Sequence, residues 1–181
     1  LRSKARPRGV HPLPKGWEGY VDTHNRLADF TAAVVWACLA ADVPCAVENP
    51  ASRNDSGSPA YWEEMADAGS IWDMPDLSAA LAAAAAARYT FAQCAEQLGG
   101  RAQKYTTIAA VGALKPELAP LRQCVCTHGR AGHDERLEGL DELGRPRATM
   151  AAAYPRGLNE LLAPAMINAA QLGKAAREAA A

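Results

Sequence analysis

Apolar residues recur at helical spacing between residues 22 and 41, with Leu27, Phe30, Val34, Cys38 and Ala41 on one face and Asp22 where an N-cap belongs. Val35, Trp36 and Leu39 make the second half apolar all round, as in a helix that packs on a sheet and is then covered. The pattern then shortens. Residues 43–47 are a brief apolar run entered through Pro44, which predicts a buried parallel strand. Residues 51–57 are polar and read as a loop. Ser58 as N-cap, Pro59 at the first helical position and Gly69 past the end frame a short helix. A second helix is predicted over residues 77–88, carried by the alanines at 82–87. Residues 89–94 and 104–111 have strand composition and flank the Gly99-Gly100 bend. Pro116 opens a short helix reaching Gln123, residues 124–147 form a polar loop, and residues 154–181 are helical, broken or kinked at Pro164.

Helices interleaved with strands in this order predict an α/β chain better than an all-α bundle. Residues 1–19, with Pro7, Pro12, Pro14 and three glycines, read as an irregular arm. That arm is basic: Arg2, Lys4, Arg6 and Arg8 give it cations suited to phosphates or simply to water. The body then spans residues 20–163, with a C-terminal helix over 164–181. The chain as a whole carries a formal net charge of −1, so no global basic field draws it to nucleic acid. Five cysteines make no even framework, which fits a reducing compartment inside the cell. The longest apolar stretch is interrupted by Asp42, so no membrane span is expected. The first residue, Leu1 rather than Met, suggests a piece of something longer.

Two groups of residues carry chemistry. The first is Glu48, an acid at the C-terminal end of an apolar strand, where ligands sit in open α/β sheets. Strand alternation turns Glu48 to the face of Ala46 and away from Cys45 and Val47. A carboxyl hemmed by Pro50 is partly desolvated, which suits it to exchange a proton with a heterocyclic nitrogen. A plain ion pair or turn cap is the alternative. The second group is Cys124, Cys126, His128 and His133, whose thiols and imidazoles at C-x-C-x-H-x4-H spacing offer four ligands to zinc. Arg130, Arg136, Arg145 and Arg147 share that loop and would suit nucleic acid. Trp36, Trp62 and Trp72 are expected to be packing residues.

Glu48-Asn49 after an apolar strand resembles the Glu-Asn motif of cytosine-5 DNA methyltransferases, and the segment from Gly100 through Gln103 to Gly112 is similar to that family's glutamine-bearing strand block. The chain also resembles methyltransferase-like sequences of mobile elements. There the order is Glu-Asn-Pro-x-Ser, Leu-Trp-x-x-Pro, Gln-Cys, Lys-x-Thr and Tyr-Pro. Here it is Glu48-Asn49-Pro50-Ala51-Ser52, Ile71-Trp72-Asp73-Met74-Pro75, Gln93-Cys94, Lys104-Tyr105-Thr106 and Tyr154-Pro155. The resemblance covers residues 20–163. It implies a partial Rossmann-like methyltransferase sheet flanked by helices, with S-adenosylmethionine as cofactor, DNA as partner and a nuclear location if the source is eukaryotic. Glu48 would be the catalytic acid holding a flipped cytosine. Asn49 and Pro50 would fix its loop, and Gln103 and Lys104 would be substrate contacts. Tyr105 and Thr107 stand where the family has arginines. The family's Gly-rich cofactor loop and Pro-Cys nucleophile lie upstream of these motifs. Pro44-Cys45 does not substitute, because Cys45 is on the opposite strand face from Glu48. The chain is therefore expected to be a fragment of such an enzyme, inactive as it stands. The alternative is a non-catalytic nucleic-acid-binding or zinc-stabilised module from a mobile element.

Overall fold

The computed structural model describes residues 1–128, 132–135, 137, 139–140, 142–147 and 153–180. Helix α1 (Glu18–Ala40) leads to strand β1 (Cys45–Pro50), then helix α2 (Pro75–Ala83), strands β2 (Ala87–Ala92) and β3 (Tyr105–Val111), short helix α3 (Leu114–Glu117) and helix α4 (Arg156–Ala180). The three strands form one sheet in the order β1-β3-β2. The α/β class expected from the sequence is therefore present. The parallel strand is not. β3 runs antiparallel to both neighbours, with Glu48 opposite Ile108 and Tyr89 opposite Ile108 on the other side. Five of the seven β3 residues between Thr106 and Ala110 are buried, as are Val111 and the facing Tyr89 and Phe91. A central strand covered on both faces reads as a continuous apolar run whichever way its neighbours point, so the run alone could not reveal direction.

The sheet separates two apolar layers. On one face Val47, Ala109 and Val111 meet α1 and α2 through Ala28, Val35, Leu77 and Leu81. On the other Phe91, Ile108 and Ala110 meet Leu114, Leu118, Leu121 and the α4 residues Leu158, Leu162 and Ala165. Burying a side chain of Leu or Phe size contributes about 1.5–3 kcal/mol relative to leaving it exposed. Leu77, Leu118, Leu121 and Leu158 are fully buried, so these two layers supply the main driving force.

Local details differ from the pattern in four places. The first helix starts at Glu18, with Trp17 at its N-cap, rather than at Asp22, which lies inside it paired with Arg26. No α-helix forms over residues 58–69. Only a 3-10 turn at Glu63–Met65 does, because Trp62 pairs back to Arg53 through its backbone. The alanine helix stops at Ala83. Ala85 turns left-handed at φ 46°, and Ala87 joins the sheet opposite Ala110. The strong helix propensity of alanine yields there to ladder hydrogen bonds. Pro164 lies inside α4, which starts at Arg156 and continues past it.

The basic arm is docked rather than free. Arg2 donates to Asn25 Oδ1 at 2.6 Å and to the Val21 carbonyl at 3.2 Å. Lys4 Nζ donates to the Asn54 carbonyl at 2.6 Å, and Arg8 pairs with Asp29 at 2.6 Å and Asp76 at 2.5 Å. Three of the four cations are thus committed to the fold. No helix among the described residues is long and apolar enough to cross a membrane.

Candidate metal centre and the Glu48 cleft

Cys94 lies just past the end of β2, in a tight turn that returns the chain to β3. Gln93 N–H donates to the Lys104 carbonyl at 2.8 Å, and Gly100 N–H donates back to the Gln93 carbonyl at 2.9 Å. That closure needs glycine. A Cβ at Gly100 would stand 2.3 Å from the Gln93 oxygen. On the outer edge of β2, Ala92 N–H donates to the Cys124 carbonyl at 2.9 Å, so residues 124–126 run alongside residues 92–94. Cys126 is thereby brought up to Cys94. The segment carrying His133 is held by Arg101, whose guanidinium reaches Glu135 at 3.2 Å and whose carbonyl accepts the Glu135 N–H at 3.3 Å.

These three approaches converge. His133 Nε2 lies 3.2 Å from Cys94 Sγ and 3.3 Å from Cys126 Sγ. The His128 ring meets that of His133 edge-on, centroids 5.2 Å apart. The donor atoms of Cys94, Cys126, His128 and His133 all lie within 4.8 Å of one another, a cluster that can hold a metal ion. Buried His133 Nδ1 has no hydrogen-bond partner among the described residues, while Nε2 faces the two sulfurs. Two thiols and two imidazoles make the donor set and the count of a closed tetrahedral zinc site.

The surroundings suit bound sulfur. Gln103 Nε2 points at Cys126 Sγ from 3.8 Å, and the Tyr105 phenol interacts with the same thiol. Backbone N–H groups of Cys94 and Lys104 point at the Cys94 sulfur. Without a metal, burial pushes the Cys94 thiol up to about 12, with the neighbouring Cys126 adding to it and those N–H groups opposing it. Burial, then the two thiols, also raises the Tyr105 phenol.

Cys124 is not part of the cluster, although the C-x-C-x-H-x4-H spacing includes it. It closes the 3-10 turn Ala119–Gln123, is buried in the α4-side layer, and its thiol, raised by burial, points at the Pro120 carbonyl. Leu118, Leu121 and Cys124 repeat every third residue, the period of a 3-10 helix, and that stripe is the signal that assigns Cys124 to the core. Cys94 takes its place. The sequence marks Cys94 only weakly, as a cysteine at a strand end before a Gly-Gly bend. Gln103 also moves in meaning, from substrate contact to partner of the Cys126 sulfur. Arg130 and Arg136 lie outside the described residues.

Glu48 faces a different space. Its neighbours in the strand alternate as expected, with Cys45 and Val47 against the α1 layer and Ala46 against the α4 layer. Glu48 is exposed and is one of the residues bordering a cleft of about 590 Å³, with Asn49, Pro50, Ser52, His24 and Leu27. The wall beyond it is fixed by buried polar groups. Asn54, 4% exposed, takes the Ser52 hydroxyl and donates to the Ala68 carbonyl and to Asp73 Oδ2 at 2.9 Å. Buried Trp72 donates its Nε1–H to the Pro50 carbonyl at 3.3 Å. On its other side Glu48 acts on the Tyr154 phenol, whose pKa rises to about 12, through burial first and then Glu48 itself. Gly100 and Lys104 line a separate, smaller cavity of about 210 Å³ that Tyr154 also borders, and the Lys104 ammonium lies 5.8 Å from the Tyr154 ring centroid. Glu48 and the glycine bend therefore meet the two sides of one tyrosine rather than one shared cleft.

Gly100 packs against the Gln93 backbone and Pro155, and Gly112, at φ 64° after β3, packs over Pro44, so neither of these two glycines offers the open backbone a cofactor loop needs. None of the five cysteines lines the Glu48 cleft. Cys45 stands beside Cys38 on the opposite face, its thiol pushed up to about 12 chiefly by burial. The chain matches no protein-family model, no curated protein and no solved structure.

Proposed function

We propose that this chain is a zinc-stabilised recognition module, with Cys94, Cys126, His128 and His133 holding one structural zinc ion. The observation that carries this reading is the convergence of four soft or borderline donors from separate segments within 4.8 Å. A set of four protein ligands leaves no open position for a substrate, which makes the role structural. In such sites metal binding contributes directly to folding. The test is metal analysis of protein purified without added chelator, followed by cobalt substitution. One equivalent per chain with a tetrahedral thiolate spectrum supports the reading, and metal-free protein of unchanged stability overturns it.

What the module recognises follows from the Glu48 cleft together with the resemblance to cytosine-5 methyltransferases. A carboxylate beside Asn49 suits the paired ring nitrogen and amino group of a cytosine held out of the stack. Methyl transfer needs more: a thiolate to attack carbon 6 while the acid steadies nitrogen 3. No described thiol faces Glu48, so the reading assigns base recognition to this chain and no methyl transfer. Single-stranded DNA containing cytosine should bind, and Glu48→Gln should weaken binding roughly tenfold, about the worth of one charge-assisted hydrogen bond. Equal binding by the wild type and the variant would remove Glu48 from recognition.

A further inference from the structure

We infer that Cys94 and Cys126 also form a redox pair, closing to a disulfide in the metal-free protein, so that metal loading and oxidation exclude each other at this centre. This deepens the zinc reading and rests on it. The hydrogen bond from Ala92 to Cys124 sets two stretches of chain side by side, and the residues two further along each stretch are these two cysteines. Their sulfurs are among the donor atoms lying within 4.8 Å of one another, with His133 Nε2 touching both. A disulfide requires the sulfurs to approach to about 2 Å, which side-chain rotation of Cys126 on its loop can supply. Cys126 is partly exposed and Cys94 buried, so a small oxidant meets Cys126 first.

With a hydroperoxide as the two-electron oxidant the chemistry balances. The Cys126 sulfur attacks one peroxide oxygen and the O–O bond breaks. The departing oxygen takes the thiol proton and, for hydrogen peroxide, leaves as one water, with Cys126 now a sulfenic acid. The Cys94 sulfur then attacks the Cys126 sulfur. The S–O bond breaks, and hydroxide leaves with the Cys94 proton as a second water. Two thiols have lost two electrons and two protons, and the peroxide has gained them. Once the S–S bond exists, two of the four donors are gone.

The experiment uses the full chain, reduced, in metal-free and zinc-loaded forms. Each is treated with stoichiometric hydrogen peroxide, its remaining thiols are alkylated, and its peptides are mapped by mass spectrometry. A Cys94–Cys126 linked peptide is expected in the metal-free sample and not in the zinc-loaded one. Zinc capacity of the oxidised protein should fall roughly tenfold or more and return with dithiothreitol. Linkage through Cys124, or only between Cys38 and Cys45, overturns the inference, as does an oxidised protein that still takes its full zinc. A reduced protein that binds no zinc but still yields the linked peptide overturns the zinc reading and with it the proposed exclusion, while leaving the disulfide itself scored. Cys126→Ser must abolish the linked peptide. Because Cys126 lies on a loop, that variant keeps the comparison available if Cys94→Ser does not fold.

Discussion

Cys94 and Cys124 are both buried cysteines, yet only one sulfur turns toward an imidazole, and mutation separates their roles. Cys94→Ser should abolish stoichiometric zinc, since a hydroxyl is a poor ligand at a thiolate position. Cys124→Ser should keep one equivalent and lose about 1–2 kcal/mol of stability, the usual scale for a polar replacement in a packed layer. Metal content and denaturant midpoints of the two variants check both. Tyr154 gives a pH signature. Its phenol is raised to about 12 by burial and by Glu48, so the folded chain holds that proton more tightly than the unfolded chain, whose phenol titrates near 10. The stabilisation is fully present below about pH 10 and is lost as pH rises toward 12. Tyr154→Phe should flatten that part of an alkaline unfolding profile, and an unchanged slope would mean that another group dominates there. At this scale the sequence was partly legible. Strand alternation placed Glu48 and Cys45 on opposite faces, because side-chain direction is local. The fourth ligand was not legible, because Cys94 reaches Cys126 only through a hydrogen bond between distant segments.

At the level of elements, the first helix formed but turned a different face inward. Val21, Ala28, Ala32 and Val35 are buried, while Leu27, Phe30 and Val34 of the expected face, and Trp36, are exposed. Other misreadings came where tertiary pairing overrode local preference. The alanine run is the clearest. Its residues have the strongest helix propensity known, yet Ala85 and Ala87 leave the helix because Ala87 finds a partner in Ala110. Sheet direction was equally hidden, since burial on both faces erases the alternation that would mark a half-exposed antiparallel strand. Pro59 and Gly69 read as helix boundaries, yet no α-helix forms between them, only the 3-10 turn Glu63–Met65. Two substitutions test the elements directly. Pro164 sits exposed inside α4, where an interior proline costs about 3 kcal/mol relative to alanine, so Pro164→Ala should raise stability by about 1–3 kcal/mol. A destabilised variant would mean the proline is needed for the helix to reach Leu158 and Ala169 together. Gly100→Ala should do the opposite, costing about 2–4 kcal/mol, because its Cβ would collide with a backbone oxygen rather than a movable side chain. The same variant should weaken zinc binding, since the displaced Gln93 carbonyl immediately precedes Cys94.

Across the whole molecule, the antiparallel sheet keeps the two candidate sites mechanically apart. The candidate metal cluster links Cys126, His133 and Glu135 to the Tyr105 end of β3 through Cys94, Gln103 and Arg101. The Glu48 cleft is held instead by Asn54, Trp72 and the docked arm, none of which touches a metal donor. Removing zinc should therefore loosen one region and spare the other. Saturating zinc at a thousandfold over its dissociation constant adds about 4 kcal/mol, so a chelator should lower the melting temperature by several degrees. Limited trypsin digestion then locates the loss. Arg145 and Arg147 lie in the stretch beyond the centre, where Leu140 bridges Pro146 and Arg147 donates its N–H to the Gly139 carbonyl at 3.0 Å and its Nε–H to the Leu140 carbonyl at 2.8 Å. Cuts there should accelerate on chelation, because losing the metal releases the Cys126 and His133 segment that leads into this stretch and favours local opening. Arg53, at the cleft and stacked 3.6 Å over the Trp62 ring, should stay protected at the same protease dose. If Arg53 is cut as fast as Arg145, the sheet does not insulate the sites, and zinc governs the cleft as well as the loop.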